Sequence, residues 1–121
     1  MANAIQVAAL WWADKLQRDR ATQERFAKAL ESAIIKAFEE EENTYLRPRP
    51  EVCVKTDYDP QDLLWGALEA AGVEMPKTAC NTCRELLPYK TCMWVGKDHV
   101  NVSYGRGAPF EDLPIPQEDE R

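Results

Sequence analysis

The stretch KTCMWVGKDHVNVSYGRGAP, residues 90–109, contains two segments in which apolar and polar side chains alternate around a short polar turn. Such alternation is typical of β-strands with one buried face, and GKDH is typical of a hairpin turn. Pairing Val95 with Val100 fixes the register of the hairpin, because opposite residues in an antiparallel pair lie on the same face. The pairs expected to face the core are Met93 with Val102 and Thr91 with Tyr104.

The opposite face of this hairpin places Trp94 beside Asn101 and Cys92 beside Ser103. An aromatic ring next to an amide, close to a cation, can stack a nucleotide base and bind its phosphate. An ordinary solvent-exposed face has the same composition, and composition alone favours that plainer interpretation. Both interpretations stay open on the sequence alone.

Arg106 follows the second strand and stands between Gly105 and Gly107. Glycine adopts positive φ without strain, so the backbone here can bend and approach a ligand closely. Consecutive N–H groups in such a bend form an anion-binding concavity, to which a guanidinium adds two parallel hydrogen bonds. Glycines also simply end strands, but Lys90, on the neighbouring strand near Tyr104, supplies a second cation.

The N-terminal segment predicts a helix over residues 3–19 with one apolar face at helical spacing. That face comprises Ile5, Ala8, Ala9, Trp12 and Leu16. Val7, Leu10 and Trp11 lie on another side, so more than half of the circumference is apolar. A chain of 121 residues rarely encloses such a helix. We therefore expect a second subunit to cover it, in a homo-oligomer.

Two further helices are predicted. Residues 22–42 have an apolar face at helical spacing, with Thr22 as the N-cap. The third helix begins after Asp59, which is the expected cap, with Pro60 in the first turn. Gly72 stands in the position of a glycine that ends a helix.

The remaining regular segment, EVCVKTD at residues 51–57, alternates as a strand. We therefore predict an α+β fold: two N-terminal helices, a third helix, and a small, mostly antiparallel sheet with a C-terminal hairpin. Residues 1–113 are expected to form a single domain. Residues 114–121 are acidic and contain proline, which predicts an extended or disordered tail.

The formal net charge is −6. This charge argues against general nucleic-acid binding, which needs a basic surface, but it suits a protein that mimics nucleic acid. The N-terminus lacks the basic segment of a signal peptide, and no apolar run approaches the roughly 20 residues of a membrane span. We expect a cytoplasmic protein that does not bind membranes and whose four cysteines are thiols.

Catalytic and metal-binding motifs are scarce. Cys80 and Cys83 have the CxxC spacing of half a four-cysteine zinc site. Cys53 and Cys92 are far apart in the sequence, so we expect thiols without a metal. His99 is the only histidine and falls in the hairpin turn. No recognisable motif pairs a nucleophile with a base, which predicts binding rather than catalysis, and no cofactor.

Four pieces, in this order, give the chain a family resemblance: WWADKL, DYDPQDLLWGALEAAGV, LPYKTCMWV and VNVSYGRGAPFE. It resembles the phage-encoded Thoeris anti-defence sponges of the first type. That family's pattern includes DYxPxxxLxxAxxxAG, a proline followed by KTxM, and a GYG-like turn. The match covers most of residues 57–109 and, more loosely, the first helix. Its specificity lies in the order and spacing of the pieces, and this chain has GRG where the pattern has GYG.

The resemblance implies a protein that binds cyclic ADP-ribose isomers made by bacterial TIR-domain proteins and withholds them from their effector without degrading them. It places the protein in the cytoplasm of an infected bacterial host. Pockets in the family lie at a symmetric dimer interface, and some members form hexamers with separate sites for cyclic oligonucleotides. Carried over by position, the ligand-binding residues are Trp12, Leu87, Lys90, Asn101, Tyr104 and Arg106.

The alternative function belongs to a different class. A small acidic inhibitor would block a nucleic-acid-binding defence enzyme by mimicking phosphate charge. It requires carboxylates spread over one face and binding that weakens steeply with salt. An oligomeric structural protein without a small ligand is the third interpretation.

Overall fold

The computed structural model describes residues 2–45, 51–57, 60–73, 86–88, 90–105 and 107–116. The helices are α1 (Ala2–Lys15), α2 (Arg20–Tyr45) and α3 (Asp62–Ala70). The strands are β1 (Val52–Lys55), β2 (Cys92–Val95), β3 (Val100–Ser103) and β4 (Glu111–Asp112). The strands form one antiparallel sheet in the order β1-β2-β3-β4. The predicted α+β fold is therefore confirmed.

The hairpin formed by β2 and β3 has the register predicted from the sequence. Val95 lies opposite Val100, and the other pairs follow as Met93 with Val102, Trp94 with Asn101 and Cys92 with Ser103. Met93 and Val102 are buried, as expected. Tyr104 was expected in the core and is instead 54% exposed, because it lies past the end of β3, where the helices no longer cover the sheet fully.

The sheet has an inner face, against which the helices pack, and an outer face. The inner face carries Val52, Val54, Met93, Val95, Val100 and Val102, which belong to one core with all three helices. The outer face carries Cys53, Lys55, Cys92, Trp94, Asn101 and Ser103, none of which is fully buried. Strand alternation alone produces this division, since successive side chains point to opposite faces.

Helix α1 is covered largely by its own chain. Val7 and Trp11, which suggested a subunit interface, pack partly buried against the core. Leu10 is the member of that second side that stays exposed, at 61%. The apolar circumference of α1 is thus mostly explained within one chain, and the homo-oligomer stays a prediction.

The start of α2 differs from the sequence expectation. The helix begins at Arg20, so Thr22 lies in its first turn and is not the N-cap. The residue before the helix is Asp19, whose carboxylate accepts a hydrogen bond from the Thr22 hydroxyl. This hydrogen bond lowers the pKa of Asp19 below its usual value. Asp19 is the better cap because an anion at a helix N-terminus also faces the positive end of the dipole.

Helix α3 ends as the sequence predicted. Gly72 has a φ of 78°, its N–H donates to the Glu69 carbonyl, and the N–H of Val73 donates to the Leu68 carbonyl. These two bonds make a Schellman motif, which needs a residue that tolerates positive φ. Arg25 of α2 adds a bond of 3.1 Å from Nε to the Ala71 carbonyl and so ties the two helices together.

The start of α3 is held by a different residue from the one predicted. Gln61 occupies the N-cap position and makes no side-chain capping bond. Its carboxamide oxygen instead accepts a hydrogen bond of 2.7 Å from the backbone N–H of Lys55. Asp59, the predicted cap, lies outside the described residues.

The segment after β4 is attached to the domain. The Leu113 N–H donates to the Val100 carbonyl, and Leu113 and Ile115 pack partly buried against the core.

The hydroxyl of Thr56 links three segments that meet at one end of the sheet. It donates to the Pro88 carbonyl at 2.8 Å and accepts from the Thr91 N–H at 3.2 Å. The Thr56 N–H donates in turn to the Thr91 carbonyl at 2.8 Å. The Thr91 hydroxyl then accepts from the Gly105 N–H at 3.3 Å. The end of β1, the segment before β2 and the turn after β3 are therefore held together.

Replacing Thr56 by valine keeps the side-chain volume and removes this hydroxyl. Because it leaves the Pro88 carbonyl and the Thr91 N–H without that partner, we expect the free energy of unfolding to fall by about 2–4 kcal/mol. The control is Ser103→Ala, which removes a hydroxyl that bonds the Ala108 carbonyl on the half-buried outer side. Urea denaturation followed by circular dichroism measures both losses, and equal losses in the two variants would contradict this account.

His99 ties the hairpin turn to the residue before β1. Its Nε2 lies 2.5 Å from a Glu51 carboxylate oxygen, and its Nδ1 lies 3.1 Å from Asp98. Both hydrogen bonds raise the pKa of His99 above its usual value, and the bond to Glu51 has the larger effect. Gly96 makes this placement possible, since a Cβ there would collide with the His99 ring.

The raised pKa of His99 gives the interaction with Glu51 a defined pH dependence. Because the protonated ring is favoured in the folded state, the stabilisation is fully present below the unfolded pKa of about 6.5. It is lost as the pH rises through the folded pKa. We expect the stability difference between the wild type and Glu51→Gln to shrink between pH 5.5 and 9, whereas the exposed control Glu40→Gln shows no such trend. A stability difference between these two proteins that stays constant or grows with pH would show that the protonated His99 ring is not stabilised by Glu51.

Candidate ligand-binding site

Trp11, Lys15 and Tyr104 form an aromatic and cationic cluster where α1 meets the end of β3. The Trp11 and Tyr104 rings meet edge to face, with centroids 5.4 Å apart. The Lys15 Nζ lies 5.1 Å from the Trp11 ring centroid and 5.2 Å from that of Tyr104. Both distances fall within the roughly 6 Å range of cation–π attraction. We call these three residues the Tyr104 cluster.

Local geometry explains why these side chains converge. Trp11 and Lys15 are four residues apart on α1 and therefore lie on the same side of the helix. Lys15 is also the last residue of α1, where a cation faces the negative end of the helix dipole. Tyr104 is two residues after Val102, so strand alternation directs its ring to the inner face, toward α1.

A folded glycine turn follows Tyr104. Gly105 and Gly107 have φ values of 93° and 75°, which confirms the predicted positive φ at both positions. The Gly105 carbonyl accepts from the Ala108 N–H at 3.3 Å, and the Ser103 hydroxyl donates to the Ala108 carbonyl at 2.6 Å. Arg106 itself lies outside the described residues, so its role stays a prediction.

Lys90 lies at the same end of the sheet as the Tyr104 cluster. Its neighbour Thr91 bonds Gly105, the residue after Tyr104. The Lys90 Nζ forms an ion pair of 2.6 Å with Asp57, and its backbone N–H donates to the Asp57 carbonyl. Lys90 also has a φ of 57°, which is uncommon for a residue other than glycine.

The structure places the other candidate residues in different environments. Trp12 is fully buried and packs against the Tyr104 cluster from the core side. Its ring meets that of Trp11 edge to face, with the ring centroids 5.1 Å apart. Its Nε1 has no hydrogen-bond partner among the described residues. Leu87 is buried in the core. Asn101 lies on the outer face beside Trp94, on the other side of the sheet from Tyr104.

This arrangement divides the candidate residues between two surfaces. Asn101 and Tyr104 are separated by the sheet, so one small ligand on one subunit does not contact both. Trp11 and Lys15, which the sequence did not single out as ligand residues, join Tyr104 instead. The sequence did contain a signal for them, because Trp11 and Lys15 are four residues apart on one helix and so share a side. On the sequence alone, Trp11 was instead assigned to a subunit interface.

Searches of protein-family models and of curated proteins find no match to this chain. The interpretation of the site therefore depends on its residues and on the resemblance described above. Of the helices that the structure describes, none combines the length and the apolarity needed to cross a bilayer.

The Tyr104 cluster carries groups that can contact a nucleotide. Aromatic faces stack bases, and a lysine beside them neutralises phosphate. His99, the chain's only histidine, lies at the opposite end of β3 and is engaged by Glu51. The cluster thus offers a surface for an anionic, aromatic ligand.

The cation–π contacts within the Tyr104 cluster can be measured. A double-mutant cycle of Lys15→Met and Tyr104→Leu is expected to give a coupling of about 0.5–1 kcal/mol in the free energy of unfolding. Lys28→Met, at an exposed position on α2, serves as the control and should not couple to Tyr104→Leu. Additive effects of Lys15→Met and Tyr104→Leu would show that the contact contributes nothing to stability.

Proposed function

We propose that this protein binds an anionic cyclic nucleotide and sequesters it without cleaving it. The observation that carries the proposal is the Tyr104 cluster: two aromatic rings and a lysine at the surface, followed directly by a turn with two positive-φ glycines. Tyr104 is the exposed member, so its ring is available for stacking.

The ligand contacts follow from the chemistry of the cluster. A purine stacks against Tyr104, with Trp11 as the supporting wall. Lys15 turns from the rings toward a phosphate, which is a stronger partner for an ammonium than an aromatic face. Arg106, between Gly105 and Gly107, supplies a guanidinium to the same phosphate group. Lys90, in the neighbouring loop, would contact the phosphate only by exchanging its present partner, the Asp57 carboxylate.

The resemblance to the Thoeris anti-defence sponges narrows the ligand to a cyclic ADP-ribose isomer. On this proposal the protein is a phage product that acts in the cytoplasm of the infected bacterium and lowers the concentration of an immune signal. Competition with an effector requires nanomolar affinity, about −12 kcal/mol. A single open surface rarely provides this, so a second subunit that closes over the ligand belongs to the proposal, as a dimer or within a hexamer.

Exposed apolar side chains offer surface that a second subunit could bury. Leu10 of α1 is 61% exposed and lines a groove between α1 and α2, and Phe110, after the glycine turn, is 52% exposed. A subunit that buried them while enclosing the ligand would gain about 25 cal/mol for each Å² of apolar surface removed from water. The Tyr104 cluster would then be a wall of the pocket rather than an open patch.

Three of the described carboxylates are paired with side chains of the same chain, which counts against the phosphate-mimic alternative at those positions. Asp57 forms an ion pair with Lys90, and Glu51 binds His99. Glu24 lies 3.4 Å from the Nε of Arg20. Carboxylates that are paired with cations of the same chain project less negative potential than a phosphate backbone does.

The direct test is to incubate the purified protein with cyclic ADP-ribose isomers, remove the protein by filtration, and assay the filtrate. The protein fraction is then heat-denatured and the released nucleotide is analysed. We expect depletion from the filtrate and recovery of the intact nucleotide. No depletion would overturn the proposal, and recovery of a cleaved product would show an enzyme instead.

Calorimetry of variants locates the site. Arg106→Ala is expected to weaken binding by about 1.5–3 kcal/mol, the usual worth of a hydrogen bond to a charged group. Lys15→Met and Tyr104→Ala are each expected to weaken it about tenfold or more, that is by about 1.4 kcal/mol. The matched controls are Lys55→Met and Trp94→Phe on the outer face, which should bind as the wild type does. Binding that depends on the controls but not on the cluster would move the site to the outer face.

A further inference from the structure

Strand β4 leaves backbone hydrogen-bonding groups open along the edge of the sheet that it forms. The Leu113 N–H donates to the Val100 carbonyl at 2.8 Å, so these two residues form a hydrogen-bonded pair beside the pair of Asn101 with Asp112. Hydrogen-bonded and non-hydrogen-bonded pairs alternate along an antiparallel ladder. Asp112 therefore directs its N–H and C=O away from β3, and no described residue bonds these two groups.

The β4 edge is accessible and short. Phe110, Glu111 and Asp112 are all exposed, Phe110 at 52%. Pro109 and Pro114 stand on either side of these residues and lack the N–H that a longer ladder would need. The edge therefore has room for a short added strand only.

The opposite edge of the sheet, along β1, is partly occupied. The Gln61 N–H donates to the Lys55 carbonyl at 3.2 Å, and the Gln61 carboxamide oxygen accepts from the Lys55 N–H at 2.7 Å. A strand added along β1 would meet the residue that precedes α3. The β4 edge is thus the better place for a further strand.

The charge of the β4 edge restricts what can pair with it. Within the described part of the chain, no ion pair engages the carboxylates of Glu111 and Asp112. Short length, prolines and charged side chains protect an edge strand against pairing with its own copies, and like charges opposite each other destabilise a strand pair. A second copy of β4 is therefore a poor occupant, whereas a basic strand is complementary.

We propose that the β4 edge binds an extended, basic segment of another protein, which adds to the sheet as a fifth, antiparallel strand. The outward N–H and C=O of Asp112 supply the backbone hydrogen bonds, the general mode by which peptides add to a sheet edge. Opposite residues share a face, so basic side chains face Asp112 and Glu111, and an apolar side chain faces Phe110. The fitting segment has two adjacent basic residues followed by an apolar one. This site is independent of the proposed nucleotide site.

The test uses a blocked peptide of the sequence threonine-lysine-lysine-valine-threonine, titrated into the isotope-labelled full-length protein and followed by nuclear magnetic resonance. We expect saturable shifts centred on the Asp112 amide. A matched peptide with glutamates in place of the lysines should give none.

Variants separate the backbone contribution from the charge. Asp112→Pro removes a carboxylate and an N–H that the sheet does not use, and should weaken binding of the basic peptide about tenfold. Asp112→Asn keeps the N–H and should weaken it less, about threefold. Glu40→Gln, at an exposed carboxylate on α2, is the control and should bind as the wild type does.

Three results would overturn the proposal. One is a wild-type protein whose Asp112 amide shows no saturable shift with millimolar basic peptide, a measurement that does not depend on whether any variant folds. The second is equal binding of the acidic peptide, or undiminished binding by a folded Asp112→Pro variant. The third is an Asp112 amide shift that changes when the protein alone is diluted, which would assign the edge to a second copy of the chain.

Discussion

The buried hydroxyl of Thr56 is the constraint on which the rest of the molecule depends. It bonds the Pro88 carbonyl and the Thr91 N–H, both in the segment before β2, and so fixes how that segment lies against the end of β1. The Thr91 hydroxyl in turn accepts a hydrogen bond from the Gly105 N–H, which ties the glycine turn to the same end of the sheet. Because buried polar groups must be paired, these bonds leave the segments little freedom to move apart. The Tyr104 cluster is built on this fixed end of the sheet.

Periodicity alone predicted most of the fold. The register of β2 and β3, the presence of strand β1 and the glycine that ends α3 all follow from residue patterns that extend over a few positions. Helix starts were predicted less well. Thr22 is a good capping residue by type, but the helix begins two residues earlier, at Arg20, and Asp19 occupies the position before it and accepts a hydrogen bond from Thr22.

The candidate site was predicted in part, for a physical reason. Sequence pattern gives the side of a strand on which a residue lies, and it placed Tyr104 on the inner side. It does not show where the covering helices end, and this determines that Tyr104 is exposed while Leu87 and Trp12 are buried. Contacts between distant segments, such as Tyr104 with Lys15 or Cys53 with Cys92, need the three-dimensional fold. The contact of Tyr104 with Lys15 belongs to the proposed ligand site.

The two faces of the sheet present different chemistry. The inner face ends in the aromatic and cationic cluster, which suits an anionic nucleotide. The outer face brings the Cys53 thiol of β1 to the Cys92 thiol of β2, with 3.8 Å between their Sγ atoms. The proposed ligand would bind on the other side of the sheet from this pair.

The most direct test of the account is nuclear magnetic resonance of the tryptophan indole N–H groups during titration with a cyclic ADP-ribose isomer. We predict that the Trp11 signal shifts strongly, because its ring lines the proposed ligand surface. The signals of Trp94, on the outer face, and Trp65, on α3, are predicted to stay unchanged. A spectrum in which Trp94 shifts while Trp11 does not, or in which no indole signal moves at saturating nucleotide, would contradict the assignment of the site to the Tyr104 cluster.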